Sequence, residues 1–256
     1  DAADAAALVE AARCPDLHPV PIKAIEQQQV QQLHRVREQL QSTRTRRINL
    51  LRGMLREFGI AVPVGLARGR TAVREALEIA DNGLPDLLRP MIAETLQEIT
   101  ALTERIARIE ATLTALSRTD PVVQRLLKLP GVGLLGATAV RAAVGDIQRF
   151  PTGRHFASWL GLTAREHSSA ETRRLGRISK QGDTYLRTLL VHGARSALCA
   201  AARAHSQGRP LDRLRLWALA TEQRRGRNKA TVALANKLAR IIWATWRYQR
   251  PFAGDW

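Results

Sequence analysis

The apolar residues Ile92, Leu96, Ile99, Leu102, Ile106, Ile109, Leu113 and Leu116 recur at steps of 4, 3, 3, 4, 3, 4 and 3. This is close to the 3.5-residue period of a coiled-coil seam, so the segment is committed to a long helix with one narrow adhesive stripe. Such a stripe wants a single partner helix. One candidate is the polar segment Ile25 to Phe58, whose thin stripe runs through Leu33, Val36 and Leu40 and then Leu50, Leu51, Met54, Leu55 and Phe58. Folding back onto it would make an antiparallel hairpin, and pairing with a second subunit would make the arm a dimerisation device. Arg35, Arg37, Arg44, Arg46, Arg47 and Arg52 spread around the first cylinder, which ends at Gly59 and the Pro63 to Gly65 turn.

The remaining segments also read as helices, so the expected fold is mainly α. Before the arm lie an amphipathic opening segment and a short strand-like stretch, His18 to Lys23, whose two prolines exclude a helix. After Asp120 and Pro121 come short helices joined by glycine loops. Two stronger helices follow, at about Thr184 to Ala204 and about Lys229 to Tyr248. In the latter, Val232, Leu234, Ala235, Leu238, Ile241, Ile242 and Trp246 form the expected buried face. There is no internal repeat and no low-complexity tract.

Charge divides at the same place. Of 40 Lys plus Arg and 23 Asp plus Glu, residues 1–120 hold 16 and 16, which leaves 24 and 7 for residues 121–256. The whole net charge of +17 therefore sits in the second half, and only 5 of the bases are Lys. Such a half repels itself unless a polyanion neutralises it, which makes nucleic acid the first partner to consider and an acidic membrane surface the second. No run of about 18 apolar residues exists, so a membrane-spanning helix is excluded. The opening residues lack a basic region followed by an apolar one and are not a signal peptide. Cys14 and Cys199 can build neither a disulfide framework nor a four-ligand zinc site. These features predict a cytoplasmic globular protein. The chain begins with Asp rather than Met, which predicts processing or the tail of a longer protein.

Three segments have the composition for chemistry. Leu126 to Phe150 is patterned as a helix-hairpin-helix element. Gly131 and Gly133 would let its hairpin turn tightly and leave the first N–H groups of the next helix to hold a phosphate oxygen. A plain helical hairpin in the core has the same pattern. Phe156 to Asp183 carries His167, Ser168, Ser169, Arg173, Arg174, Arg177, Ser179 and Lys180 in one polar loop. Paired hydroxyls beside cations supply what attack on a phosphodiester needs, although a serine in a basic loop can equally just hydrogen-bond a phosphate. Asp1 and Asp4, at i and i+3, can face one side of a helix and bind magnesium, or can simply favour the helix macrodipole.

In this order, DAADAAALVEA, PVPIK with the arginine-bearing helix ending in LREFGI, LPGVG, ASWLGL, HSSAETRRLGRISKQGDTYLR and KATVALANKLARIIW resemble the DEDD-type transposases of bridge-RNA-guided insertion sequences, the IS-one-ten family. The resemblance covers essentially the whole chain and is most specific from Leu129 to Arg187. It implies a remnant of a RuvC-like domain at 1–24, a helical coiled-coil arm at 25–120 and a transposase domain at 121–256. Asp1 and Asp4 match the third and fourth acids of the family's magnesium site. The first two would precede residue 1, so the resemblance implies a carboxyl-terminal fragment.

The family's catalytic serine falls on Ser169, with Ser168 as the neighbour to be told apart and Ala170 standing where relatives usually have glycine. The implied reaction is strand cleavage by the serine hydroxyl, a covalent link to a DNA 5′ phosphate, and attack of the released 3′ hydroxyl on the partner duplex. Arg165, Arg173 and Arg174 are the candidate phosphate stabilisers, with Arg177 and Lys180 as further nucleic-acid contacts. His167 is a base or a nucleic-acid contact. Double-stranded DNA, a noncoding guide RNA and further copies in a homo-oligomer are the implied partners. The alternative is an inactive fragment that only binds DNA or RNA.

Overall fold

A computed structural model describes residues 1–15, 21–169 and 171–253 of the chain. Helix α1 (Ala2–Arg13) is followed by α2 (Ile25–Glu57), α3 (Leu66–Glu78) and α4 (Arg89–Thr119). Then come α5 (Pro121–Leu126), α6 (Leu134–Val144), α7 (Gly153–Trp159), a two-stranded sheet of β1 (Ala164–Glu166) and β2 (Leu175–Ile178), α8 (Thr184–Ser206), α9 (Arg213–Arg225) and α10 (Arg227–Arg247). The expected mainly helical class is what is found. No strand forms at Pro21 to Lys23, where the sequence pattern predicted one, and His18 to Val20 lie outside the described residues. Two prolines remove donors that a ladder would need.

The stripe on α4 finds its partner within the chain. Arg37 meets Glu110 at 2.6 Å, Arg44 donates to Thr103 at 3.4 Å and Arg47 meets Glu98 at 2.7 Å, contacts that run in opposite directions along α2 and α4. The two helices therefore form an antiparallel hairpin. Leu40, Leu102 and Ile106 fill its middle, while Ile48, Leu51, Leu55, Ile92 and Ile99 fill its tip with Val73 of α3 and Leu84. Each fully buried Leu or Ile contributes about 1.5–3 kcal/mol. Helix α3 is a third element of the arm that the two long stripes did not foretell. Val36, Leu50 and Leu116, expected in the seam, are exposed, and Ile48 and His34 are buried instead. The face of α2 turns because it packs on α4 and α3 at the tip but on α6 at the base.

In the second half α10 is the central helix, packed on α5, α7, α8 and α9. Leu234, Leu238, Ile241, Ile242 and Trp246 are buried as expected, but Val232 is only partly so. The Trp243 indole N–H donates to the Phe150 carbonyl at 3.0 Å, which satisfies its polar end inside the core. Asp120 ends α4, and its carboxylate caps α5 while pairing with Arg141 at 2.9 Å, so the arm enters this body at a fixed angle. His34 locks the junction, with its two ring nitrogens 3.0 Å from Tyr185 Oη of α8 and 3.0 Å from Thr138 Oγ1 of α6. Burial, reinforced by Arg37, lowers its pKa to about 4.

Helices α5 and α6 are joined by the LPGVG turn. Gly131 there has φ +79°, and a Cβ on it would lie 2.4 Å from the Gly193 carbonyl oxygen of α8. The turn therefore fits against α8 only as glycine. Gly133 precedes α6 with no side-chain cap on that helix, and a Cβ there would meet open space.

Candidate functional site

The stretch expected as a polar loop is a β-hairpin. Ala164 pairs with Ile178 and Glu166 with Leu175, with one irregularity between them. The His167 N–H then donates to the Arg174 carbonyl at 2.8 Å, and Ser169 and Thr172 exchange backbone hydrogen bonds of 3.2 and 3.0 Å. Ser169 and Thr172 thus face each other at the closed end, and Ala170, where the family pattern is broken, lies outside the described residues. The strands are exposed on nearly every residue, so the backbone ladder and the root hold this hairpin rather than a core.

The root is rigid. A Cβ on Gly161, at φ +69°, would lie 2.0 Å from the Gln181 carbonyl, so the two ends of the hairpin touch backbone to backbone. Lys180 N–H donates to the Gly161 carbonyl at 3.1 Å, and Ser179 N–H to the Thr163 carbonyl at 2.8 Å. Arg187, buried in α8, donates to the Leu160 and Gln181 carbonyls at 3.3 and 3.1 Å and to Thr184 Oγ1 at 3.1 Å. It thus ties α7, the hairpin end and α8 together through one guanidinium, whose planar fork suits several acceptors at once.

The two candidate serines differ in what they touch. Ser168 Oγ donates to the Glu166 carboxylate and accepts the Arg174 N–H at 2.9 Å. Among the described residues the Ser169 hydroxyl has no hydrogen-bond partner, and it stands exposed at the tip. Strand alternation places Glu166, Ser168 and Arg173 on one face and His167, Ser169 and Arg174 on the other. Arg173 lies 3.9 Å from Glu166 on its own face. Arg174 is therefore the cation that shares a face with Ser169. Arg165 donates to the Ser179 carbonyl at 3.1 Å, and the His167 ring lies against Gly176, where a Cβ would come within 3.1 Å of it.

The other expected residues fall elsewhere. Arg177 and Lys180 line a cavity against α10 rather than the tip. Gly131 and Gly133 border a separate hollow at the start of α6. Asp1 caps α1, accepting the Asp4 N–H at 3.1 Å, and Asp4 returns a carboxylate contact to the Asp1 backbone nitrogen, so the pair forms a capping box on a helix that buries no residue. Among the described residues no group of three or more His, Cys, Asp or Glu side chains is placed to hold a metal ion. By itself the pair does not amount to a metal centre. Sequence reasoning passed over Glu166, whose hold on Ser168 depends on the strand register. It also passed over Lys229, Lys237 and Arg240 of α10, legible only as the polar stripe complementary to the apolar one.

A cationic hairpin above a body with a large excess of arginine is the surface expected of a protein that holds a phosphodiester backbone. Residues 123–209 match the family model for the transposase IS116/IS110/IS902 family. The Pseudomonas aeruginosa protein named "Probable family 20 transposase" is 45% identical over 249 residues, 95% of this chain and 71% of that protein. The transposase for insertion sequence element IS1111A of Coxiella burnetii is 38% identical over 252 residues, 98% of this chain and 68% of that one. The transposase for insertion sequence element IS1328 of Yersinia enterocolitica is 35% identical, with 95% and 70% covered. The chain belongs to the IS116/IS110/IS902 family of transposases, DNA-binding proteins that move insertion sequences. No helix among the described residues is long and apolar enough to cross a membrane.

Proposed function

We propose that Ser169 is the nucleophile of this transposase. Its Oγ attacks a DNA phosphorus, an O–P bond to the 5′ phosphate forms as the bond to the 3′ oxygen breaks, and the serine proton passes to solvent while the departing 3′ oxygen gains one. A strand 3′ hydroxyl then attacks the phosphoserine, re-forming a phosphodiester and releasing the serine. The link conserves the bond energy, so no external energy source is required. The observation that carries this reading is the contrast between the serines. Ser168 is held by Glu166 and the Arg174 N–H, while Ser169 is exposed on the face that strand alternation also gives Arg174, a guanidinium suited to charge on the non-bridging oxygens.

In the same reading the uncapped start of α6 after Gly133 grips a DNA backbone as a helix-hairpin-helix element would. A noncoding RNA pairs with the DNA to choose the sites, and further copies of the chain complete the assembly. Backbone grip by protein with sequence choice by base pairing suits an arginine-rich surface that offers few exposed aromatics for stacking. Residues 1–24 are read as the edge of a RuvC-like domain. Asp1 and Asp4 would contribute to a magnesium ion there, each with one oxygen already engaged in the cap, and no step above is routed through it.

The test incubates the chain with nicked and intact insertion-sequence ends and resolves covalent protein–DNA adducts by denaturing electrophoresis. Ser169→Ala should lower adduct yield by at least about 10³-fold with DNA binding retained. Ser168→Ala should lower it by roughly tenfold, through a looser hairpin. Adducts that persist in Ser169→Ala contradict the assignment, and a non-catalytic binding protein would form none with either serine present.

A further inference from the structure

A cavity of about 1290 Å³ opens between the root of the hairpin, α7, α9 and α10. Its walls carry Arg154, Arg177, Lys180, Lys229, Lys237 and Arg240 and, among the described residues, not one carboxylate. None of these six cations is ion-paired among the described residues. Its floor is apolar, formed by Leu162, Ile178, Val232, Ile241 and Trp243. Lys237 Nζ stands 4.3 Å over the Trp217 ring, and desolvation followed by repulsion from Arg240 and Arg213 lowers its pKa. Six like charges with no counterion among the described residues suit an external anion.

We propose that this groove binds single-stranded DNA running from the hairpin that presents Ser169. The proposal rests on the reading of that hairpin as the cleavage site. The volume exceeds the roughly 300–1,000 Å³ usual for a small-molecule pocket, and a chain of phosphates matches cations spread along several walls. A duplex buries its base faces and would leave the apolar floor uncovered, whereas a single strand offers phosphates to the walls and base faces to the floor. Deoxyribose suits that floor better than ribose. A 2′-hydroxyl set against Leu162, Ile178, Val232, Ile241 and Trp243 would lose water without gaining a partner from those side chains. Lys180 and Arg177 belong to both hairpin and groove, so a strand held here leads towards the tip.

Fluorescence anisotropy of the full chain with labelled oligo(dT), oligo(U) and a duplex tests this. Lys237→Gln with Arg240→Gln should weaken oligo(dT) binding about tenfold and reduce its salt slope by about 1.4, two contacts at about 0.7 each. Duplex binding should change less, and the unaltered chain should prefer oligo(dT) to oligo(U). Arg177→Gln with Lys229→Gln, which leaves the Trp217 contact intact, should repeat the loss if the first pair disturbs folding. Arg105→Gln with Arg108→Gln on the arm should have no effect. Unchanged oligo(dT) affinity in both groove pairs, an equal loss on duplex, or tighter binding of oligo(U) would each overturn the proposal. Ser169→Ala should leave oligo(dT) affinity intact, so adducts persisting in that variant would remove the serine reading and leave the groove standing.

Discussion

Arg37 and Arg47 of the arm close on Glu110 and Glu98, Arg44 and Arg70 donate to Thr103 and Thr100, and Arg89 reaches four acceptors around the loop between α3 and α4. In the body, Arg154, Arg177 and Arg240 have no such partner among the described residues. Composition alone does not explain the difference, because the body holds acids too. Asp146, Asp183 and Asp212 each cap a helical segment, and Glu166 holds Ser168. Glu166 and Asp212 also pair with Arg173 and Arg215, next to them in the fold, and none of the four acids reaches the cavity wall. Arginine thus stitches α2 to α4 in the arm, while in the body the arginines of the cavity wall stay available to an outside polyanion.

The largest expected effect on folding separates two glycines of one turn. Gly131→Ala should destabilise the body by about 3 kcal/mol or more, since a Cβ must coexist with the Gly193 carbonyl in a left-handed backbone. Gly133→Ala should cost only about 0.5–1 kcal/mol. Chemical denaturation of both variants checks this, and equal losses would mean that the turn does not press on α8.

The junction of arm and body should fail in acid before either part does. His34 has a folded pKa of about 4 against 6.5 unfolded, so the folded state resists a proton that the unfolded state accepts. The stabilising contribution is full above pH 6.5 and is lost as pH falls towards 4, by about 3 kcal/mol in all. Urea melts at several pH values should show this slope in the parent and a flatter one in His34→Gln.

The smallest effects test the charge comparison directly. Arg173→Gln with Arg174→Gln should weaken duplex DNA binding about tenfold and lower the salt slope by about 1.8, at about 0.9 per contact. Arg37→Gln with Arg47→Gln should leave affinity unchanged and cost about 1 kcal/mol of stability. If both pairs weaken binding alike, the arm is part of the interface and the contrast collapses.

How much of this was legible in the sequence follows from the range of the interactions. The seam of α4 and the buried face of α10 were, because repeated apolar steps on one helix state where that helix must bury itself. Helix α3 was not, since it completes the tip of a hairpin already specified by its two long members. The β-hairpin was hidden because ARE and LGRI show no apolar alternation, and its stability comes from a root closed by Gly161 and Arg187 across the chain. His34 reads as a polar residue on a polar helix, and only the approach of Tyr185 and Thr138 gives it a role. Ser169 stood out by family pattern, and the difference between its surroundings and those of Ser168 needed the strand register.

The central claim is that the hydroxyl at the hairpin tip becomes bonded to DNA. Trapping the adduct, digesting both components and locating the nucleotide-bearing residue by mass spectrometry tests it most directly. The account predicts the modification on Ser169, with Ser168 unmodified. A nucleotide on Ser168, or strand cleavage without any modified serine, would contradict it.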